Sequence, residues 1–151
     1  VLKDTCRQMW KTVVTIMSIM AMAKIMSHSG MIAEIAGMMV ALTGSFYPAA
    51  APFVGAIGTF VTGSGTSANV LFGGLQVETA GSLGLDPSWL AGANTVGATI
   101  GKMISPQSIA IGTAATASVG SESKILRTVI KYCVLFIIIA GLVAYAGSRF
   151  V

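Results

Sequence analysis

The segment from Thr128 to Gly147 carries one charged side chain, Lys131, and is otherwise almost entirely apolar. A helix of about 20 apolar residues is long enough to cross the hydrocarbon core of a bilayer. Tyr132 and Tyr145 lie near its two ends, and tyrosine is favoured at membrane surfaces. The sequence therefore predicts a membrane-spanning helix over 128–147.

The composition of the whole chain indicates a membrane protein in contact with the lipid bilayer. Of its 151 residues, 54% are hydrophobic and 9% are charged, whereas soluble domains have about 25% charged residues. So few charges exclude an ordinary soluble enzyme and a disordered tail, because they cannot cover a soluble surface. The net charge of +4 is spread along the chain without interleaved aromatic residues, which excludes a nucleic-acid partner. The predicted class is an all-α membrane protein.

The cysteines and the histidine do not form a recognisable metal or redox motif. Cys6 and Cys133 lie far apart, and His28 is the single histidine. We interpret the cysteines as small packing residues and predict no metal and no cofactor. The chain begins at Val1 without a signal-peptide pattern, and we expect it to be an internal or C-terminal portion of a longer protein.

The first part of the chain predicts two helices. Residues 12–28 form an apolar segment that can span the membrane with help from its flanking residues. Residues 31–45 have apolar side chains at helical spacing opposite a small and polar face, which predicts an amphipathic helix. This helix is expected to lie at the membrane interface or to pack on another helix, and to end at Phe46, Tyr47 and Pro48.

Residues 46–77 contain two apolar arms that are each too short to cross a bilayer. Between them lies the polar, glycine-rich segment 63–69, GSGTSAN. Non-helical backbone at membrane depth is tolerated only where protein or a water-filled cavity covers it. We therefore predict a re-entrant helical hairpin over 46–77 with its tip at 63–69, followed by a polar loop over 79–90.

Residues 91–118 contain a second polar interruption. Lys102 and the segment Ser105-Pro106-Gln107-Ser108 lie near the middle of an otherwise apolar stretch. Proline removes a backbone donor and clashes with the preceding turn, which predicts a proline-broken helix over 91–118. Gly92, Gly97 and Gly101 are small residues that permit close packing between membrane helices, and Gly97 and Gly101 form a GxxxG pair. A polar loop is expected over 120–127.

Two basic clusters predict the orientation in the membrane. The positive-inside rule places both on the cytoplasmic side; they consist of Lys3, Arg7 and Lys11, and of Lys124, Arg127 and Lys131. Segments 12–28, 91–118 and 128–147 then each cross once, and the hairpin opens to the outside. Glu78, Asp86 and the C-terminus are expected to face outward.

The two polar interruptions predict a binding site for a small anion. Glycines let backbone N–H groups turn toward an anion at a helix N-terminus, and broken helices build substrate sites in transporters. The predicted substrate-binding residues are Gly63, Ser64, Gly65, Thr66, Ser67, Asn69, Ser105, Gln107 and Ser108. Lys102 is expected to attract the anion or to take part in coupling, because a charge at mid-segment is costly and usually functional.

These features also have simpler interpretations. The segment 63–69 can be a helix cap, Pro106 a kink, and Lys102 a lysine that extends to the membrane surface. The dinucleotide fingerprint matches 63–68, but no βαβ unit surrounds it. A purely structural membrane segment would need no binding site at all.

One alternative belongs to a different functional class. Ser64 with His28 would suit an intramembrane serine hydrolase, because a serine nucleophile needs a neighbouring base. The predicted transporter has no catalytic residues.

Two motifs resemble the L-lactate permease family. They are TGSGTSANVLFGGLQ at 62–76 and ANTVGATIGKMISPQSIAI at 93–111, and the resemblance covers essentially the whole chain. Family members are much longer, so the resemblance implies a C-terminal portion that works with the N-terminal portion of the same transporter. It also implies similarity to elevator-type carriers with paired hairpins and broken helices.

The resemblance further implies a function for the complete carrier. That function is proton-coupled import of lactate, and often glycolate, through the bacterial-type plasma (inner) membrane. The residues themselves leave open a different small carboxylate and Na⁺ as the coupling ion.

Overall fold

The computed structural model describes residues 2–116, 118 and 120–150, without the side chains of residues 2–9, 11, 12, 15, 16, 19 and 114. The cluster of Lys3, Arg7 and Lys11 and the side chain of Cys6 therefore lie outside the description. No strand occurs in the described ranges, so the predicted all-α class is confirmed. The helices are α1 (Leu2–His28), α2 (Met31–Thr43), α3 (Tyr47–Thr62), α4 (Gly65–Leu83), α5 (Pro87–Gly101), α6 (Pro106–Ala115) and α7 (Glu122–Gly147).

The break expected at Phe46–Pro48 lies two residues earlier, because α2 ends at Thr43 and Gly44 has a left-handed φ of 51°. A 3₁₀ turn at Gly44–Phe46 joins α2 directly to α3. Pro48 lies in the first turn of α3, where its missing N–H costs little, and Pro52 follows inside the helix. The predicted break is therefore present, but Gly44 makes it and the prolines do not. Met31–Thr62 and Glu122–Gly147 are the two helical stretches of the described chain that are long and apolar enough to cross a membrane.

The two predicted polar loops are present but shorter than predicted, because helices extend into both. α4 continues to Leu83, and α5 begins at Pro87. Asp86 is the N-cap of α5, since its Oδ1 accepts a hydrogen bond from the Trp89 N–H at 2.8 Å. An acidic cap followed by proline is a favourable helix start. Similarly, α7 begins at Glu122, within the predicted loop 120–127.

Helices α3 and α5 pack with their backbones in contact. A Cβ atom added to Gly97 would collide with the Pro52 carbonyl oxygen, and one added to Gly101 would collide with the Ala56 carbonyl oxygen. Gly55 makes the same kind of contact from the α3 side. The close packing predicted from Gly97 and Gly101 is therefore present, and α3 is the partner. The contact with α3 therefore determines which face of α5 is turned toward α4.

The buried core consists mainly of small residues, whereas many large apolar side chains point outward. One cluster contains Tyr47, Ala51, Ala80, Leu90, Ala93 and Ala144. On α7, Leu142 is 63% exposed and Ile138 is 55% exposed. Small residues between helices and large apolar residues outside are typical of helix packing in lipid.

Candidate functional site

The turn between α3 and α4 consists of Gly63 and Ser64. Gly63 has φ 71°, in the left-handed region that glycine adopts most readily. Ser64 is the N-cap of α4, because its Oγ accepts a hydrogen bond from the Ser67 N–H at 3.3 Å. The predicted tip at 63–69 is therefore wrong in extent. Its last five residues are helical, because Ser64 is a favourable N-cap.

The helix break lies at Ser105. After α5 ends at Gly101, Lys102–Ile104 form a 3₁₀ turn, and Ser105 has an extended backbone with ψ 126°. Helix α6 then begins at Pro106. The residue before a proline is disfavoured in the helical conformation, so the interruption predicted from this proline is present.

The tip of the hairpin contacts the broken helix. A Cβ atom added to Gly63 would overlap Gln107 Oε1 and would lie 3.1 Å from Gln107 Cβ. Residues from the two polar interruptions, which are far apart in sequence, are therefore neighbours in space. This is the proximity on which the predicted joint site depends.

A pocket of about 360 Å³ lies between the N-terminus of α4 and the C-terminal part of α5. Its volume is in the range of small-molecule sites. It is lined by Ser64, Gly65, Thr66, Asn69, Thr95, Ala98, Thr99 and Lys102. Sequence analysis predicted most of these lining residues but missed Thr95 and Thr99, which stand one helical turn apart on α5.

The other predicted site residues do not line the pocket. Gly63 and Gln107 contact each other, and Ser67 is buried next to its cap. Ser108 is half-buried on α6. Ser105 is fully buried, and its Oγ has no hydrogen-bond partner among the described residues.

The pocket has the electrostatic character of an anion site. The N–H groups of Gly65 and Thr66 belong to the first turn of α4, where helix N–H groups have no intrahelical acceptor. The helix dipole places partial positive charge at the same end. Lys102 adds a full positive charge to the wall. Together these groups favour a carboxylate over a cation.

A buried chain of hydrogen bonds leads from the core to the pocket. The Tyr47 hydroxyl donates to Gln76 Oε1 at 3.0 Å, and Gln76 Nε2 donates to Asn94 Oδ1 at 3.1 Å. Asn94 Nδ2 then donates to Asn69 Oδ1 at 2.9 Å. Sequence analysis missed the roles of Gln76 and Asn94. The sequence does show one sign of these roles. Gln76 and Asn94 are amides in apolar stretches of α4 and α5, and a buried amide requires hydrogen-bond partners.

The described contacts do not pair Ser64 with His28 as a nucleophile and base. His28 Nδ1 lies 3.0 Å from the Lys24 carbonyl oxygen, while the Ser64 hydroxyl caps α4. Across the described residues, no group of three or more His, Cys, Asp or Glu side chains could hold a metal ion. The arrangement therefore supports ligand binding and gives no support to hydrolysis.

The sequence profile described as L-lactate permease matches residues 1–150. The chain belongs to the L-lactate permease family. It is 41% identical to the L-lactate permease of Bacillus subtilis (strain 168) over 145 residues, covering 96% of this chain and 26% of that protein. It is also 42% identical to the glycolate permease GlcA of Escherichia coli (strain K12) over 131 residues, covering 87% of this chain and 23% of that protein.

A third relative is more similar in sequence but over a shorter stretch. The chain is 54% identical to the L-lactate permease of Streptococcus iniae over 91 residues, covering 60% of this chain and 19% of that protein. It thus spans about a quarter of the length of the curated relatives that it matches most fully. No solved structure matches it. These relatives are named as permeases.

Proposed function

We propose that this chain is the C-terminal portion of a longer carrier for L-lactate, glycolate and related small 2-hydroxymonocarboxylates. Relatives named L-lactate permease and glycolate permease support this substrate class. The observation that carries the proposal is the pocket in which Lys102 and the N-terminus of α4 line a common wall. A carboxylate that leaves water needs fixed donors and a counter-charge, and this wall supplies both.

In the proposed binding mode, the carboxylate lies against the N–H groups of Gly65 and Thr66. The side chains of Ser64 and Asn69 add donors, and Lys102 attracts the anion. Helix N-termini bind anions through the same combination of N–H groups and dipole.

The substrate 2-hydroxyl is proposed to bind on the side of the broken helix. Ser105 Oγ has no hydrogen-bond partner among the described residues, and Gln107 lies next to the tip at Gly63. Ser67, in the first turn of α4, and Ser108, next to Gln107 on α6, complete the proposed site. Recognition of the hydroxyl would give preference to hydroxy acids over plain carboxylic acids.

The proposed mechanism is secondary active transport with protons as the coupling ion. Alternating access would occur around the hairpin at 46–77 and the broken helix at 91–118, as in elevator-type carriers. Discontinuous helices whose N-termini point at an anionic substrate group are a recurring design in secondary transporters. Lys102 is the proposed coupling residue, because it is the charged group on the pocket wall.

The carrier is proposed to be a multi-pass protein of the bacterial plasma membrane with a re-entrant hairpin. Single cysteines introduced at Ser82 and Ser121 test this orientation. We expect an impermeant thiol reagent to label position 82 from outside and position 121 from the cytoplasmic side. Labelling of both positions from one side would contradict the proposed topology.

The function is tested by uptake of radiolabelled L-lactate into vesicles that contain the full-length permease. An imposed inward proton gradient should stimulate uptake, and unlabelled glycolate should compete. A vesicle preparation without the permease is the control. If a Na⁺ gradient stimulates uptake and a proton gradient does not, Na⁺ is the coupling ion. Absence of uptake would overturn the proposal.

A further inference from the structure

The amide of Asn69 links the buried hydrogen-bond chain to the pocket. Its Oδ1 accepts a hydrogen bond from Asn94 Nδ2 at 2.9 Å, and the residue lines the pocket wall. An amide whose oxygen is engaged in this way still has N–H donors available on its nitrogen. We propose that Asn94 and Gln76 are positioning residues that hold the Asn69 NH₂ group toward the pocket as a donor to the substrate carboxylate. This inference rests on the proposed function and deepens it.

All the hydrogen bonds from Tyr47 to Asn69 run in the same direction, with each donor on the core side of its acceptor. Gln76 and Asn94 each accept a hydrogen bond on the amide oxygen and donate one from the nitrogen. If Asn69 alone turned over, its NH₂ group would face the NH₂ group of Asn94, and neither would have an acceptor there. Gln76 is 0% exposed and Asn94 is 1% exposed, so water does not replace a lost partner. The orientation of Asn69 therefore depends on residues outside the pocket.

The far end of the chain is held in the protein core. Tyr47 is 0% exposed and belongs to the core cluster that joins α3, α4, α5 and α7. Its hydroxyl donates to Gln76 Oε1, which leaves the Gln76 nitrogen to donate to Asn94. The hydrogen-bond chain thus begins at the Tyr47 hydroxyl in the core and ends at the Asn69 amide on the pocket wall.

This orientation gives the pocket a preference for ionised substrates. A carboxylate accepts hydrogen bonds and donates none, so an NH₂ group on the wall stabilises it. An amide oxygen at the same place would repel a carboxylate and would suit a neutral amide. The chain of amides is therefore expected to favour lactate over lactamide, its neutral analogue.

Asn94→Asp tests the inference, because it replaces the donor that faces Asn69 with an acceptor. The Asn69 NH₂ group must then turn inward, which leaves its oxygen on the pocket wall. The readout is the affinity of the purified full-length permease for radiolabelled L-lactate, with lactamide as a competitor. We expect lactate affinity to fall about 10- to 100-fold while lactamide still competes.

A double-mutant cycle with Asn69→Ala separates positioning from direct charge repulsion and from structural damage. If Asn94→Asp acts through the Asn69 amide, it causes no further loss of lactate affinity when Asn69 has already been replaced. An equal loss in both backgrounds overturns the inference.

Tyr47→Phe gives a test that adds no buried charge. It removes the donor at the core end and keeps the shape of the ring. We expect a loss of lactate affinity of about 2- to 10-fold in the native background and none in Asn69→Ala. An unchanged affinity, or an equal loss in both backgrounds, overturns the inference.

Lys102→Met distinguishes failure of this inference from failure of the proposed function. If Lys102→Met weakens lactate binding while Asn94→Asp and Tyr47→Phe do not, the anion site stands and the positioning role is wrong. If the unsubstituted permease binds no lactate, both are wrong.

Discussion

The side chain of Gln107 lies directly against Gly63, at a place where a Cβ atom would overlap its amide oxygen. Gly63 also has φ 71°, so a larger residue would be strained by this backbone conformation and would require the Gln107 side chain to move. This contact joins the hairpin tip to the start of α6. The stability of the tip and the position of the helix break are therefore expected to be linked.

Gly63→Ala should destabilise the permease, because it forces alanine into the left-handed region and against Gln107. The expected loss is about 2 kcal/mol, measured as a lower midpoint of thermal unfolding of the purified full-length protein. Gly73→Ala is the matched control, since Gly73 lies inside α4 and has no atom within 4 Å of an added Cβ. Equal unfolding midpoints for the two variants would contradict the prediction.

Gly65→Val should abolish lactate binding while leaving the fold intact. Gly65 lines the pocket, and among the described residues an added Cβ meets nothing within 4 Å, so the first side-chain carbon fits and the valine methyl groups would occupy space at the pocket wall. The left-handed residue of the tip is Gly63 and not Gly65. We expect affinity for radiolabelled lactate to fall more than about tenfold. Gly81→Val, on the same helix but away from the pocket, should bind normally.

Lys102→Met should weaken lactate binding and uptake about tenfold or more. The substitution keeps most of the length of the side chain and removes its charge from the pocket wall. Lys24→Met is the control, because Lys24 is an exposed lysine on α1 outside this pocket. Uptake is compared after equal membrane insertion has been verified. Normal uptake kinetics across pH in Lys102→Met would show that this lysine only extends to the membrane surface.

Ser105→Ala should weaken binding of lactate more than binding of propionate. Lactate has a 2-hydroxyl that can hydrogen-bond to Ser105, and propionate does not. The expected difference between the two losses of binding free energy is about 1–3 kcal/mol. Competition by both acids against radiolabelled lactate measures it. Because Ser105 Oγ has no partner among the described residues, the substitution should not lower the unfolding midpoint. A parallel loss for both acids would remove this hydroxyl from the site.

Gly97→Ala should disrupt the contact between α3 and α5. The added methyl group collides with the Pro52 carbonyl oxygen, a backbone atom that cannot move without shifting the helix. The expected cost is about 1–3 kcal/mol, seen as a lower unfolding midpoint. Gly92→Ala on the same helix meets nothing within 4 Å and should be neutral or slightly stabilising. Equal stability of the two variants would argue against the close packing.

Sequence reasoning identified the features that depend on local chemistry. Pro106 predicts the helix break, because its ring prevents the preceding residue from staying helical. The glycine-rich segment at 63–69 predicts an interruption, and its first two residues form the turn. The bounds of the neighbouring helices were wrong because Ser64 caps α4, an alternative that the sequence had left open, and because Asp86 caps α5 inside the predicted loop. A cap lets a polar stretch belong to a helix.

The features that depend on how helices meet could not be predicted in the same way. Gln76 and Asn94 are single polar residues in apolar stretches, and their pairing depends on the rotation of α4 and α5 about their axes. The same holds for Thr95, whose place on the pocket wall requires the position of α4. The partner of Gly97 was likewise unknown until α3 was placed. A periodic pattern defines a helix face but does not define what it contacts.

The glycine contact between α3 and α5 also limits how this part of the carrier can open. With Gly97 against Pro52 and Gly101 against Ala56, sliding one helix along the other would drive side-chain atoms into backbone. The two helices are therefore expected to travel as one rigid unit during the transport cycle. Since α5 carries Thr95, Thr99 and Lys102, access to the proposed anion site is expected to change through motion of α4 relative to this unit or at the helix break before Pro106.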